Sequence, residues 1–146
     1  MRSNVSVKRI HPSARMPERG SEHAAGYDVC ACLDSGICIE PGQRALVPTG
    51  LSFALPPDME IQVRPRSGLA IKHGISLVNT PGTIDPDYRG ELKVIMINHG
   101  DEPFSISHGM RIAQLVFAAV LHPDFDAVDS LDATERGDGG FGHTGL

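Results

Sequence analysis

Apolar and polar residues alternate along short stretches of this chain, and turn-forming residues cut each stretch off before a long helix could develop. In MEIQVR (59–64), Met59, Ile61 and Val63 alternate with Glu60, Gln62 and Arg64, the two-residue period of a strand with one buried face. ELKVIMIN (91–98) is a more continuous apolar run, compatible with a strand buried on both faces. Periodicity alone leaves RIAQLVFAAVL (111–121) open between strand and helix. Pro41-Gly42, Pro56-Pro57-Asp58, Asn98-His99-Gly100-Asp101 and His108-Gly109 punctuate the intervals with turn chemistry. Short strands at regular spacing predict an all-β sandwich or barrel.

One short helix interrupts that pattern. In RSGLAIKHG (66–74), Ser67 can serve as N-cap and Gly74 as the residue that ends the helix about two turns later. Free backbone N–H groups at a helix N-terminus favour an anion, and Arg66 and Ser67 stand at that end. An ordinary capped helix with a solvated arginine explains the same residues. The last stretch, ERGDGGFGHTGL (135–146), has too many glycines to be core. Its composition suits a disordered tail. It also suits a lid in which glycine N–H groups, Arg136 and the isolated Phe141 order over a phosphate-bearing ligand. No internal repeat or linker divides the chain, so its 146 residues predict one domain.

Composition narrows the classes. The net charge of -5 argues against broad nucleic-acid binding, which wants a basic face, but leaves room for a pocket dominated by a few arginines. The N-terminus has no apolar secretory segment, and no apolar run approaches the ~20 residues that cross a bilayer. A soluble, cytoplasmic protein is expected. Cys30, Cys32 and Cys38 match no common zinc spacing and are expected as reduced thiols. The seven histidines are scattered with no HxxxH pair, so no protein-built zinc site is expected.

The densest chemistry lies in NTPGTIDPDYRGELKV (79–94), where two prolines and two glycines constrain a turn carrying Asp85, Asp87, Tyr88 and Arg89. Rigid turns bearing an acid and an aromatic make good sites because preorganised groups act without reordering. A β-hairpin with Asp at its turn positions is the plainer account. Nothing local selects Asp85 over Asp87 as a reactive acid.

A resemblance makes that selection. AGYDVCA (25–31), PRSGLA (65–70), GTIDPDYRGELKV (82–94), GMRIAQLVF (109–117) and RGDGGFGHTG (136–145) resemble the five ordered motifs of the trimeric deoxyuridine triphosphate nucleotidohydrolases, the dUTPases. The third and fifth are the most specific, and together the five span residues 25–145. The resemblance implies an all-β, jelly-roll-like β-barrel or sandwich with one short helix, assembled as a homotrimer with active sites shared between subunits. It implies a β domain over residues 1–134 and a mobile Gly-rich arm over 135–146. The implied activity converts dUTP to dUMP and pyrophosphate by water attack on the α-phosphate, keeping uracil out of DNA and supplying dUMP for dTMP synthesis.

The resemblance also implies roles. Asp85 would be the base that deprotonates the attacking water. Asp28 would meet Mg²⁺ through coordinated waters, the ion being held mainly by the phosphates. Arg66, Ser67, Gly68 and Gln114 would hold phosphates, with Arg111 a further contact and Arg136 a clamp on the γ-phosphate. Gly142, His143 and Thr144 would add donors, although many family members carry serine where His143 stands. Phe141 would stack on uracil, and a hairpin after Gly74 would receive it, with Asn79, Gly82, Thr83 and Ile84 at its polar edge. Tyr88 would exclude a 2′-hydroxyl, and Lys93 would lie at the periphery. The rivals are a dCTP deaminase of related fold and a nucleotide-sensing protein that has lost the chemistry; the 85–88 turn and the fifth motif favour the dUTPase.

Overall fold

The computed structural model describes residues 4–145; Met1–Ser3 and Leu146, the extremities of the expected domain and arm, lie outside them. Twelve strands and one helix follow in the order β1 (Ser6–Arg9), β2 (Glu18–Arg19), β3 (Gly26–Cys30), β4 (Ile37–Ile39), β5 (Arg44–Pro48), β6 (Leu51–Ala54) and β7 (Met59–Arg64). Helix α1 (Ser67–His73) then precedes β8 (Ile75–Leu77), β9 (Gly82–Ile84), β10 (Lys93–Asn98), β11 (Phe104–Ile106) and β12 (Arg111–Ala119). The mostly-β expectation therefore holds, with the single short helix where the sequence put it. Among the described residues, no helix is long and apolar enough to cross a membrane.

The largest sheet has the order β2-β3-β12-β7-β9, and β5-β10-β8 form a second. Two-stranded pairs β1-β6 and β4-β11 complete the set. β7 follows its predicted alternation, with Ile61 and Val63 buried and Arg64 exposed; each such aliphatic burial contributes roughly 1.5–3 kcal/mol. The undecided stretch 111–121 is a strand over Arg111–Ala119, because β12 lies between β3 and β7, with Gln114, Leu115 and Val116 paired on both sides. Leu115, Ile112 and Ala113 reach the core, where they join Val29, Ile61, Val94 and Met96.

Two expectations are corrected. β10 is not buried on both faces: Val94, Met96 and Asn98 are buried while Ile95 and Ile97 are half-buried. One face packs on the core, and among the described residues no element covers the other, where Ile95 lies opposite the 56% exposed Leu46. Ser67 is not the N-cap. Arg66 occupies that position in extended conformation, with no side-chain capping bond, and Ser67 is the first helical residue. The helix ends as expected at Gly74, whose φ of 67° is left-handed and whose missing side chain admits the backbone of Gly100.

Asn98 ties these pieces together. Fully buried, its Nδ2 donates to the carbonyls of Ile39 (2.9 Å) and Glu102 (2.8 Å), and its Oδ1 accepts from Gly100 N–H (2.8 Å). His99 N–H donates to the Gly74 carbonyl at 2.9 Å, so the 98–100 turn fixes the end of α1 as well as β4.

Candidate active site

A row of polar side chains crosses the large sheet. Glu18 of β2, Asp28 of β3, Gln114 of β12 and Arg64 of β7 are directly opposed in register and therefore share a face. Just beyond β7, Arg66 leans back over this row, and its Nε donates to Asp28 Oδ1 at 2.9 Å. Gln114 Nε2 donates to the Pro65 carbonyl at 3.0 Å, which pins the chain entering α1. Gly26 lies beneath the Gln114 side-chain amide, where a Cβ would collide with it.

Arg111 reaches the same face through an irregularity. It is opposite Cys30, while Gln114 is opposite Asp28, so β12 spends three residues where β3 spends two. This bulge turns Arg111 to the side of Gln114, where an odd separation would otherwise have set them on opposite faces. The Arg111 guanidinium then stands 3.3 Å from Asp28 Oδ2. Asp28, about a fifth exposed, thus holds one arginine on each oxygen. Ser67 and Gly68 follow directly, both exposed, and the first helical hydrogen bond runs from Ala70 N–H to the Arg66 carbonyl. Backbone donors ahead of Ala70 have no helical acceptor.

Beside this cluster a cleft of about 520 Å³ is lined by Arg15, Glu18, Arg19, Asp28, Cys30 and Arg111, among others. Burial pushes the Cys30 thiol above its ordinary value, with Arg15 partly opposing the shift.

The second group forms on the far side of β9. Thr83, Ile84, Asp85, Tyr88, Glu91 and Lys93 line a cleft of about 380 Å³ together with Leu46 and Ile95 of the uncovered sheet face. Asp85 is exposed, and the turn after it closes through Tyr88 N–H to the Asp85 carbonyl at 3.2 Å. Asp87 does not line this cleft, a geometric difference between the two acids that the sequence could not supply. Tyr88 donates its hydroxyl to the Glu91 carbonyl at 3.0 Å. Lys93 Nζ is 3.8 Å from Glu91 Oε2. Gly82 is buried, with space for a Cβ limited by Asn79 Nδ2 at 3.1 Å and Val63 Cβ at 3.3 Å. The expected hairpin after Gly74 is not a ladder closed on itself: β8 pairs with β10 and β9 with β7. Residues 78–81 cross between sheets, Val78 N–H being taken by the Ile95 carbonyl at 3.0 Å.

Within one chain these groups remain apart. Ile84 is opposite Ile61 and Gln114 is opposite Arg64, so Asp85 lies about four strand residues, roughly 13 Å, along the sheet from the Gln114 row. The fifth-motif residues join neither group. Beyond Ala119 the described chain has no further helix or strand, and Leu121, Phe125 and Leu131 are almost fully exposed. Arg136 Nε donates to the Gly139 carbonyl at 2.8 Å, Phe141 is wholly exposed, and Gly142, His143 and Thr144 are exposed beside it.

Sequence reasoning missed two things. It did not foresee that Asp28 is the counter-ion of Arg66 and Arg111, which sequence separation conceals. It also gave no role to Glu91 or to Thr49-Gly50, although a Thr-Gly pair between apolar strands was a visible turn signal.

Arginines gathered on a carboxylate beside one turn, with an exposed acid and an aromatic in another, define a mostly-β protein equipped for an anionic ligand. The chain belongs to the dUTPase family, whose model matches residues 12–145. It is 57% identical over 142 residues to the deoxyuridine 5'-triphosphate nucleotidohydrolase of Syntrophotalea carbinolica, covering 97% of each chain. It is 60% identical over 131 residues to that of Desulfotalea psychrophila, covering 90% of this chain and 87% of the relative. A mutant dUTPase of Staphylococcus bacteriophage 80alpha, solved with dUpNHpp, superposes with a TM-score of 0.90 at 26% identity, covering 99% and 100%. A mutant dUTPase of S. aureus phage phi11, whose structure reveals the coordination of a structural Mg(II) ion, shares the fold at 23% identity and a TM-score of 0.79, covering 88% and 98%.

Proposed function

We propose that this chain hydrolyses dUTP to dUMP and pyrophosphate, with Asp85 as the base that activates water at the α-phosphorus. Membership of the dUTPase family supports the reaction. The observation that carries the assignment of roles is the separation of the two clusters: one gathers cationic and amide donors, the other offers a free carboxylate in a cleft with Tyr88. A triphosphate arriving at the first would replace Asp28 as the partner of Arg66 and Arg111, with Gln114 and the N–H groups near Ser67 and Gly68 completing its shell. Charge-assisted bonds of this kind are roughly twice as strong as neutral ones. Asp85 then needs only to orient one water, for which a well-placed carboxylate contributes about 10²–10⁴-fold.

A roughly 13 Å gap within one chain is too wide for one α-phosphate to meet both clusters, so a complete site draws them from different subunits. This favours the homotrimer. The uncovered β10 face around Leu46 and Ile95, and the apolar residues exposed beyond Ala119, are surfaces that such an assembly would bury. Residues 135–146 act as an arm that closes a site, bringing Arg136 to the γ-phosphate, Phe141 to the base, and Gly142, His143 and Thr144 to the phosphates. Asn79, Gly82, Thr83 and Ile84 receive uracil, and Tyr88 packs where a 2′-hydroxyl would sit. Lys93 contributes at the rim.

The residues fit Mg²⁺ as a partner of the substrate. Among the described residues no three His, Cys, Asp or Glu side chains are placed to hold a metal, and Asp28 is the carboxylate that pairs with Arg66 and Arg111. That donor set suits an ion held by phosphates and reached by Asp28 through water. When bound, the ion would neutralise charge developing on the phosphates. The test is product analysis across the deoxynucleoside triphosphates with and without Mg²⁺. Pyrophosphate from dUTP alone is expected; ammonium from dCTP would instead identify a deaminase.

A further inference from the structure

We infer that Glu91 is a positioning residue for sugar selection, holding Tyr88 in place by fastening the substrate turn to the β5–β6 turn. The inference rests on the role proposed above for Tyr88. Glu91 works with both its ends. Its main-chain carbonyl accepts the Tyr88 hydroxyl at 3.0 Å, and its Oε1 accepts the backbone N–H of Gly50 at 2.9 Å. Gly50 cannot easily be anything else: its φ is 69°, and a Cβ there would stand 2.8 Å from Ala14 Cβ and 2.9 Å from Cys32 Sγ.

The next residue is fastened to the same turn. Thr49, fully buried, donates its hydroxyl to the Leu92 carbonyl at 2.6 Å, and Leu92 N–H donates to the Leu51 carbonyl at 2.8 Å. Residues 91 and 92 are therefore locked to 49–51 by three hydrogen bonds, only one of which uses the Glu91 side chain. Tyr88 itself is 45% exposed, so packing does not fix its ring. What fixes it is the hydroxyl bond at one end and Gly90 beneath, where a Cβ would collide with the ring. A group that excludes a hydroxyl by a steric clash must not be able to swing away. Loss of the Glu91 side chain leaves Gly50 N–H without its acceptor, and the peptide whose carbonyl holds Tyr88 then keeps only its Leu92 N–H bond to the Leu51 carbonyl. The neighbouring bonds at Leu92 keep the strand in place.

The measurement is the ratio of kcat/KM for dUTP over UTP in the full-length enzyme, with melting temperature as a check on folding. Glu91→Ala should lower the ratio by about tenfold, mostly through faster UTP turnover. Glu91→Gln, which keeps an acceptor for Gly50 but loses the charge facing Lys93, should restore it. Tyr88→Phe, which removes only the hydroxyl and leaves the Gly50 bond intact, should lower it several-fold. A purely structural role would slow both substrates alike and leave the ratio unmoved. If Tyr88→Ala relaxes selection while Glu91→Ala does not, the positioning role is overturned and the role of Tyr88 stands. Should Glu91→Ala fail to fold, an unchanged ratio in Tyr88→Phe overturns it equally. An unchanged ratio in Tyr88→Ala overturns both.

Discussion

Replacing Asn98 with alanine removes three side-chain hydrogen bonds at once, from a position with no exposure to solvent. The carbonyls of Ile39 and Glu102 lose a donor, and Gly100 N–H loses an acceptor. At about 1 kcal/mol for each bond, the loss comes to about 3 kcal/mol, before any contribution from the small cavity left behind. For a domain of this size that corresponds to a melting temperature lower by about 10 °C. The assay is urea and thermal unfolding at one fixed protein concentration, because assembly makes stability depend on concentration. Asn98→Asp sharpens the test. It keeps one acceptor but sets a carboxylate oxygen against two carbonyls, so it should be at least as unstable at neutral pH and partly relieved at low pH, where a proton restores a donor. A loss below about 1 kcal/mol for the alanine variant would mean that the 98–100 turn is not the tie between β4, β10 and α1.

Other predictions concern the arm and the thiols. Truncation after Glu135 should leave the melting temperature within about 2 °C, since the hydrogen bonds of the described part of this segment are local. It should lower kcat/KM for dUTP by about 10²-fold or more, and unimpaired turnover would count against a closing arm. Alkylation at pH 8 should label the exposed Cys38 before the half-buried Cys30, read by peptide mass spectrometry. The sign for Cys30 follows from burial, which favours the neutral thiol in the folded state. Its protonated form stabilises the fold below the ordinary thiol value, and that contribution is lost as pH rises above it. Preferential labelling of Cys30 at pH 8 would contradict this.

Much of the fold was legible where one face of a strand is buried and the other is not. β7 announced itself through Met59, Ile61 and Val63, and α1 ended at the glycine that its left-handed turn requires. β12 was not legible because its bulge makes Ile112 and Ala113 both buried, which breaks the alternation that marks a strand. The local reading of 79–94 failed between Asp85 and Asp87 because cleft formation depends on Leu46, distant in sequence. The pairing of Asp28 with Arg66 and Arg111 depends on strand register across β3 and β12, information that no single segment carries. Ser67 looked like a cap because serine often is one, yet Arg66 is held in the capping position by its bond to Asp28.

The central claim is that Asp85 activates water while other groups hold the substrate. Its most direct test measures dUMP and pyrophosphate formation by Asp85→Asn beside binding of a non-hydrolysable dUTP analogue. Turnover should fall by about 10²–10⁴-fold with affinity essentially unchanged; retained turnover, or an equal loss of affinity and rate, would contradict the account.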